Sequence, residues 1–541
     1  MKNKPYPLNT VPQVNNLKEF ILYCANTYKD ETAFQFEQDN KVLRISFQEF
    51  WDDINGLGTS LNHLGLRDVK IAIIGENSYY WILSYFAVIN GGNVIVPFDP
   101  EMSEDEMTTL LFNTEISCII CSNKYLDKVQ KIKSHLQFHQ LFVFETDIPA
   151  LIYQGKGLID KGERAFIDYM VQDDVCSAIL YTSGTTSKPK GVMLSHRNIA
   201  TDAVSSIRNV FFAGTSILVL PLFHTFSFTA SVLCVLLSGK TVSITKNIKE
   251  FKSDMNKYQP QNLILVPMIV ESLYKQIWTQ AKMKKKDGLL RKLVSISNVL
   301  LKFGIDLRKV LFFSIRNSFG GKIDFIISGG APIQDKYVKG FYELGIQVLN
   351  GYGITECSPV LAVNRNRYFR EYSVGQVLDG VKINIVDDEI LVKGDVVTAG
   401  YYQDESQTAE AFQDDWFKTG DLGYIDGDGF LYITGRKKNL LILSNGKNIS
   451  PEELEEYFYD LDYVKEVIVY QNGDQIEVEV YFGNESPELY REQIEKDLKI
   501  INSKLLKYKN ITKLIISEKE FPKTSTQKIR REQLYATARN S

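Results

Sequence analysis

Tyr181-Thr182-Ser183-Gly184-Thr185-Thr186-Ser187-Lys188-Pro189-Lys190-Gly191 decides the reading of this chain. The apolar run Ala178-Ile179-Leu180 leads into it and predicts a buried strand. Five Ser/Thr hydroxyls, two glycines and two lysines stand within these eleven positions. Hydroxyls and free backbone N–H groups wrap an anion, and glycine lets the backbone come close. Lysine adds a positive point charge. These are the parts of a triphosphate cradle. The loop is not of the Walker type, because no Gly-Lys-Ser/Thr follows four residues after the first glycine. A flexible polar surface loop has a similar composition, so the rest of the chain must decide.

Its 541 residues exceed one ordinary core and predict at least two domains. An apolar share of 44% with 24% charged residues is that of a soluble globular protein. A net charge of −4 argues against nucleic acid as the main partner. Met1-Lys2-Asn3-Lys4 is followed by polar residues, so no signal peptide is expected. The charge-free stretch from Asn209 to Gly239 has the length of a membrane span, but Gly214, Pro221, His224 and several Ser/Thr interrupt it. A buried strand, a turn and a buried helix fit it better. Six scattered cysteines suit a reducing cytoplasm. Cys118 and Cys121 form a C-x-x-C inside a strand-like run with no second pair, which reads as core.

Up to about residue 170, helix-like and strand-like patterns alternate. Leu17 to Ala25 and Phe47 to Leu64 have helical spacing, and Gly65 ends the second. Val69 to Gly75 predicts a buried strand, Tyr80 to Val88 a helix, and Gly92 to Pro97 the next strand. This alternation implies an α/β fold, with parallel-rich sheets flanked by helices. Ser195 is placed to cap a helix. Ile217 to Phe226 then reads as a strand ending in an aromatic cluster around His224, with Phe223, Phe226 and Phe228.

Lys275 to Lys322 stands apart, with twelve Lys/Arg against two Asp. Leu289, Leu290, Leu293, Val294, Leu300 and Leu301 give it apolar stripes near helical spacing. It reads as a solvated helical insertion, or as a surface that meets an anionic membrane or an acidic partner. Farther on, Phe325-Ile326-Ile327-Ser328-Gly329-Gly330-Ala331-Pro332 and Val348-Leu349-Asn350-Gly351-Tyr352-Gly353-Ile354-Thr355-Glu356 are each a strand opening into a glycine turn. Trp416-Phe417-Lys418-Thr419-Gly420-Asp421-Leu422-Gly423 and Tyr432-Ile433-Thr434-Gly435-Arg436-Lys437-Lys438 follow. Ser450-Pro451-Glu452-Glu453 predicts a capping box with proline at the first helical position. Val464 to Phe482 predicts a hairpin turning at Asn472-Gly473. The last motif is Phe521-Pro522-Lys523-Thr524-Ser525-Thr526-Gln527-Lys528.

These strings, in this order, resemble the adenylate-forming (AMP-binding) enzyme superfamily, and the basic insertion resembles its long-chain fatty acyl-CoA synthetase branch. The resemblance implies a large N-terminal domain, residues 1–436, and a small mobile C-terminal α+β domain, residues 437–541, with a hinge at Lys438. It implies that Thr182, Ser183, Gly184, Thr185, Thr186 and Lys190 hold the ATP phosphates. Gly329, Gly330, Ala331, Tyr352 and Gly353 would line the adenine site. Thr355 would meet phosphate, Glu356 would hold Mg²⁺, Asp421 would accept from the ribose hydroxyls, and Arg436 would assist there. A carboxylate beside phosphate suits Mg²⁺, which prefers hard oxygen ligands. His224, with Phe223 and Phe226, would border the acyl pocket. Gly446 would let the pantetheine arm of coenzyme A pass. Lys528 falls on the catalytic lysine, although Gln527 replaces the usual glycine before it.

The implied reaction joins a medium- or long-chain fatty acid to AMP from Mg·ATP, then to the thiol of CoA. An acyl carrier protein is the alternative acceptor. A non-catalytic nucleotide-binding protein and an ATPase are the readings from other classes. Intact Lys528, Glu356, Asp421 and Arg436 argue against a dead relative.

Overall fold

Buried β-structure on both sides of the 181–191 loop sets the frame. The computed structural model describes residues 4–133, 140–182, 189–443, 447–461, 463–473, 475–483, 486–523, 529–531 and 534. They form two compact units. One takes the chain up to Thr182, then 189–382 and 392–417; the other takes 383–391 and the chain from Lys418 on.

The first unit holds two large sheets. One has the strand order Gly400–Tyr401, Lys190–Ser195, Cys176–Thr182, Val94–Phe98, Lys70–Ile74, Cys118–Cys121, Gln140–Val143. Its last five strands are parallel. The other runs Gly375–Val377, Val360–Val363, Gln347–Gly353, Phe325–Ser328, Asn262–Leu265, Ser216–Leu218, Val242–Ile244, Thr32–Gln38, Lys41–Ser46, and is parallel from 347 to 38. Cys118–Cys121, Asn262–Leu265 and Phe325–Ser328 are buried at every position, as strands covered by helices on both faces must be. Period two places Cys118 and Cys121 on opposite faces, each in a different core cluster. They therefore cannot share a metal or a disulfide.

Helices start where polar caps stand. Asn16, Ser46, Ser78, Ser103 and Ser195 each accept a backbone N–H at the entrance of the next helix. At Ser46 and Ser195 the reciprocal bond completes a capping box, with Glu49 and Asn198. The stretch from Asn209 to Gly239 contains the strand Ser216–Leu218, then a helical run from Thr225 to Leu237 with a π turn at Thr229–Leu233. No helix among the described residues is long and apolar enough to cross a membrane.

In the second unit, Trp416–Ile425 and Phe430–Arg436 pair antiparallel. Glu466–Asn472 and Gln475–Tyr481 form the expected hairpin, with Gly473 at φ +59°, and Ile511–Ser517 adds a parallel edge. Helices Pro451–Tyr459 and Arg491–Lys504 cover this small sheet through Leu454, Phe458, Ile494 and Ile501. The helix at Pro451 starts where the sequence predicts, but the capping box does not form. The Ser450 hydroxyl donates to Glu452 Oε2 at 2.8 Å instead of accepting a backbone N–H. Mixed α/β architecture, with a large parallel-rich N-terminal part and a small C-terminal domain, is the fold that the sequence implies.

Candidate active site

The strand Cys176–Thr182 returns antiparallel as Lys190–Ser195, with Thr182 opposite Lys190. The phosphate-loop candidate therefore joins two paired strands. Thr182 and Lys190 are its described ends; Ser183, Gly184, Thr185 and Thr186 lie outside the described residues. Tyr181 anchors the entry strand, its hydroxyl 2.7 Å from that of Thr114 and its ring stacked on Phe98.

The two-residue strand Gly400–Tyr401 pairs with Met193 and Val192. This pairing puts the Tyr401 ring under Lys190, whose Nζ is 4.9 Å from the ring centroid. The same tyrosine donates its hydroxyl to Glu356 Oε1 at 3.0 Å. Burial, then the adjacent Glu356 carboxylate, pushes the phenol far above its ordinary range, so it stays a donor. Glu356 sits on a turn of 3₁₀-helix, Thr355–Cys357, and its carbonyl accepts from Thr398 N at 2.8 Å. Thr355 Oγ1 is 3.4 Å from Thr225 Oγ1. Sequence motifs pointed to Lys190 and to Thr355-Glu356 separately; the fold joins Lys190 and Glu356 through Tyr401.

Local constraints fix this turn. A Cβ on Gly353 would lie 1.9 Å from the Pro359 carbonyl oxygen, a backbone atom, so only glycine fits there. Ile354 N donates to that same carbonyl at 2.9 Å. Ser358 Oγ donates to Val396 O at 2.7 Å, and Thr229 Oγ1 to Ser358 O at 3.2 Å.

Beside the turn lies an apolar cavity. Gly329, Gly330, Tyr352 and Gly353 form part of its wall, Phe226 and Phe212 another part, with Val210 and Val363 beyond. Gly329 is buried against Phe226, whose ring would meet a Cβ at 2.7 Å. Gly330 has φ +84° and is exposed, as is Ala331. Phe223 and His224 do not line this cavity; their rings lie 4.3 Å apart and both are half-buried. Phe228 turns into the core, 4.1 Å from Tyr85.

The second unit holds its own polar pair. Asp421 faces Arg436 across the strand pair, with Arg436 Nε 2.6 Å from Asp421 Oδ1. Asp421 is 3% exposed. Lys437 pairs with Glu389 at 2.6 Å, and Lys438 is exposed on the 3₁₀ turn Lys437–Asn439. Gly446, Gln527 and Lys528 lie outside the described residues.

Sequence reasoning missed Tyr401. It belongs to no glycine-rich string, and nothing in its spacing links it to Glu356. Among the described residues no group of three or more His, Cys, Asp or Glu is placed to hold a metal. Glu356 would have to hold Mg²⁺ together with hydroxyl and phosphate oxygens, which suits an ion that takes few protein carboxylates.

Residues 23–402 match the family model described as AMP-binding enzyme, and residues 438–540 match the AMP-binding enzyme C-terminal domain. The chain is 26% identical over 484 residues to the long-chain-fatty-acid–CoA ligase FadD15 of Mycobacterium bovis, covering 85% of this chain and 80% of that protein. It is 27% identical over 514 residues to the 2-succinylbenzoate–CoA ligase of Listeria innocua, covering 93% and 96%. Its fold matches o-succinylbenzoate CoA synthetase (MenE) of Bacillus subtilis, solved with ATP and a magnesium ion, at a TM-score of 0.73 and 22% identity over 95% of this chain and 99% of that one. The chain belongs to the AMP-binding enzyme family, the adenylate-forming superfamily.

Proposed function

We propose that the acid it activates is a medium- or long-chain fatty acid and that CoA is the thiol acceptor. The apolar cavity beside the Thr355–Glu356 turn carries this reading. Beyond the Gly329, Gly330, Tyr352 and Gly353 wall that the adenine would meet, it is lined by Val210, Phe212, Phe226, Ile327 and Val360, which suits a hydrocarbon chain whose carboxylate ends at the polar turn.

The reaction has two halves. A carboxylate oxygen bonds to the α-phosphorus of ATP, the bond from that phosphorus to the bridging oxygen breaks, and pyrophosphate leaves. The thiol sulfur then bonds to the acyl carbon, the bond to the AMP oxygen breaks, and the thiol proton passes to solvent. Lys190 and the loop before it hold phosphates, and Thr355 donates its hydroxyl to one. Glu356, fixed by Tyr401, would hold Mg²⁺, which when bound neutralises phosphate charge. Asp421 accepts from the ribose diol and Arg436 steadies it. Lys528 places an ammonium where carboxylate and α-phosphate meet. Positioning and electrostatics of this kind supply most of the catalysis in such transfers.

The test is pyrophosphate release with a series of straight-chain acids and 2-succinylbenzoate, with and without CoA. Each buried methylene contributes about 0.8 kcal/mol, so kcat/KM should rise several-fold per two carbons until the cavity fills. Preference for 2-succinylbenzoate or acetate overturns the fatty-acid reading. Loading of an acyl carrier protein with negligible CoA turnover overturns the acceptor. Lys528→Ala should remove acyl-AMP formation, by about 3 kcal/mol in transition-state stabilisation, yet spare thioester formation from supplied acyl-AMP. Adenylation at the wild-type rate would remove Lys528 from the mechanism.

A further inference from the structure

The basic segment contributes no residue to the candidate site or to its cavity. Helix Pro267–Met283 ends in a turn through Lys284, Lys285 and Lys286, with Lys285 in the left-handed region at φ +54°. Helix Asp287–Lys302 and the short helices Arg308–Leu311 and Phe313–Asn317 follow. Of the apolar residues quoted from sequence, Leu290 is buried, and Leu293 and Val294 pack on the core formed with Ile277, Phe312 and Phe341. That stripe is accounted for by folding.

A different stripe remains uncovered. Leu289, Ile296, Val299 and Phe303 are 55%, 54%, 52% and 77% exposed. At 100° per residue they fall within about 80° of one another, with Lys292 among them. Val310 and Phe313 extend the apolar surface, at 74% and 63% exposed. Between Met283 and Phe313 nine large apolar side chains are exposed, against twenty in the rest of the described chain. That concentration is far above the scatter of single surface hydrophobes that needs no explanation.

The charge around it is mainly positive. Lys282, Lys284, Lys285, Lys286, Lys292 and Lys302 are all exposed. No ion pair holds any of these six among the described residues. Of the acidic residues in and beside the segment, Asp306 is engaged by Arg308, and Asp324 by Lys309 and Arg316; Asp287 stands in the first turn of the helix beside the three lysines. Exposed aliphatic and aromatic side chains flanked by unpaired lysines match an interfacial helix, whose apolar face enters the acyl boundary while its lysines meet anionic headgroups.

We infer that the surface formed by Lys284–Lys286 and the Leu289/Ile296/Val299/Phe303 face docks on an anionic phospholipid bilayer. An acidic carrier protein would explain the lysines but leave the protruding Phe303 and Val310 without a role.

The experiment is co-sedimentation of the full-length protein with vesicles of phosphatidylglycerol and phosphatidylcholine in equal parts, and with phosphatidylcholine alone. Binding should require phosphatidylglycerol and weaken with salt, since exposed charges are screened over about 8 Å at physiological ionic strength. Replacing Lys284, Lys285 and Lys286 with glutamine should lower the partition coefficient by about fivefold per lysine. Phe303→Ser and Ile296→Ser should each lower it further without changing the salt dependence. All of these residues are exposed, so melting temperature and turnover of a soluble acid with free CoA should stay at wild-type values. Val310→Ser provides a second apolar variant if either serine variant fails to fold. Wild-type protein that stays in solution overturns the inference. So does vesicle binding unaffected by both the glutamine and the serine variants. A concentration-dependent dimer abolished by Phe303→Ser would assign the face to a second copy, and salt-sensitive capture of an acyl carrier protein without vesicle binding would assign it to that partner. Either result overturns lipid docking.

Discussion

Tyr401 links the two charged groups of the site in the first unit, and its removal separates their roles. Its hydroxyl fixes one oxygen of Glu356, while its ring carries Lys190. Tyr401→Phe keeps the ring and deletes the bond. A hydrogen bond to a charged group is worth about 1.5–3 kcal/mol, so kcat/KM for ATP should fall roughly ten- to a hundredfold, with added Mg²⁺ recovering part of the loss. Tyr401→Leu also loses the cation–π contact, typically about 0.5–2 kcal/mol, and should be worse. Equal activity of Tyr401→Phe and wild type would show that Glu356 is positioned by its backbone alone. The sequence displays Lys190, Thr355 and Glu356 because each sits in a distinctive string. Tyr401 is invisible there, since its place depends on a two-residue strand pairing with a segment some two hundred positions earlier. His224 presents the reverse case. Its aromatic neighbours draw attention to it in sequence, yet only Phe226 of that cluster lines this cavity, since Phe223 and His224 precede the helix Thr225–Phe228 and Phe228 packs on Tyr85.

Most elements were legible because local signals agree with the tertiary burial. Ser195 caps its helix as expected, and the expected hairpin forms, although Asn472 still pairs with Gln475 so that its turn begins at Gly473, one residue later than predicted. The return strand Lys190–Ser195 was not read, since its antiparallel pairing is set by what flanks the loop rather than by its own pattern. Ser450 shows a local signal losing to a side chain, as its hydroxyl finds the Glu452 carboxylate. The helix His196–Asn209 carries a pH consequence. His196 is its first residue, 4% exposed, and burial lowers the imidazole to about 4 against the opposing pull of the Ile89 backbone and Asp173. The helix N-terminus disfavours a cation as well. In the unfolded chain the same group titrates near 6.5. The unfolded state therefore binds more protons between these values, and stability falls as pH drops from about 6.5 towards 4, by up to roughly 3 kcal/mol, then no further from this group. His196→Gln should flatten that part of the curve of urea midpoint against pH. An unchanged slope between pH 7 and 4.5 would assign the acid sensitivity to other groups.

At the scale of the whole molecule, the proposed chemistry requires one chain to run two reactions with different needs. Adenylation must bring an ammonium to the α-phosphate, and thioester formation must admit a thiol to the acyl carbon of the same intermediate. In the proposed mechanism Lys528 serves the first step and would obstruct the second, which calls for the C-terminal part to change position between them. Lys438 is suited to absorb that change. It is exposed on a short 3₁₀ turn, follows directly on the paired Lys437, and precedes the C-terminal family match by no residue at all, since that match begins at 438. Proline there fixes φ near −65° and removes a backbone donor, and an exposed turn loses no core packing by it. Lys438→Pro should therefore leave one half-reaction near the wild-type rate and slow the other on the order of a hundredfold, the usual cost of misplacing a reacting group. Pyrophosphate release with fatty acid measures the first half, and thioester formation from supplied acyl-AMP and CoA measures the second. An intact melting temperature would separate this outcome from misfolding. Equal slowing of both halves in a folded protein would place the pivot elsewhere, and full activity in both would mean that the chain does not turn at this residue.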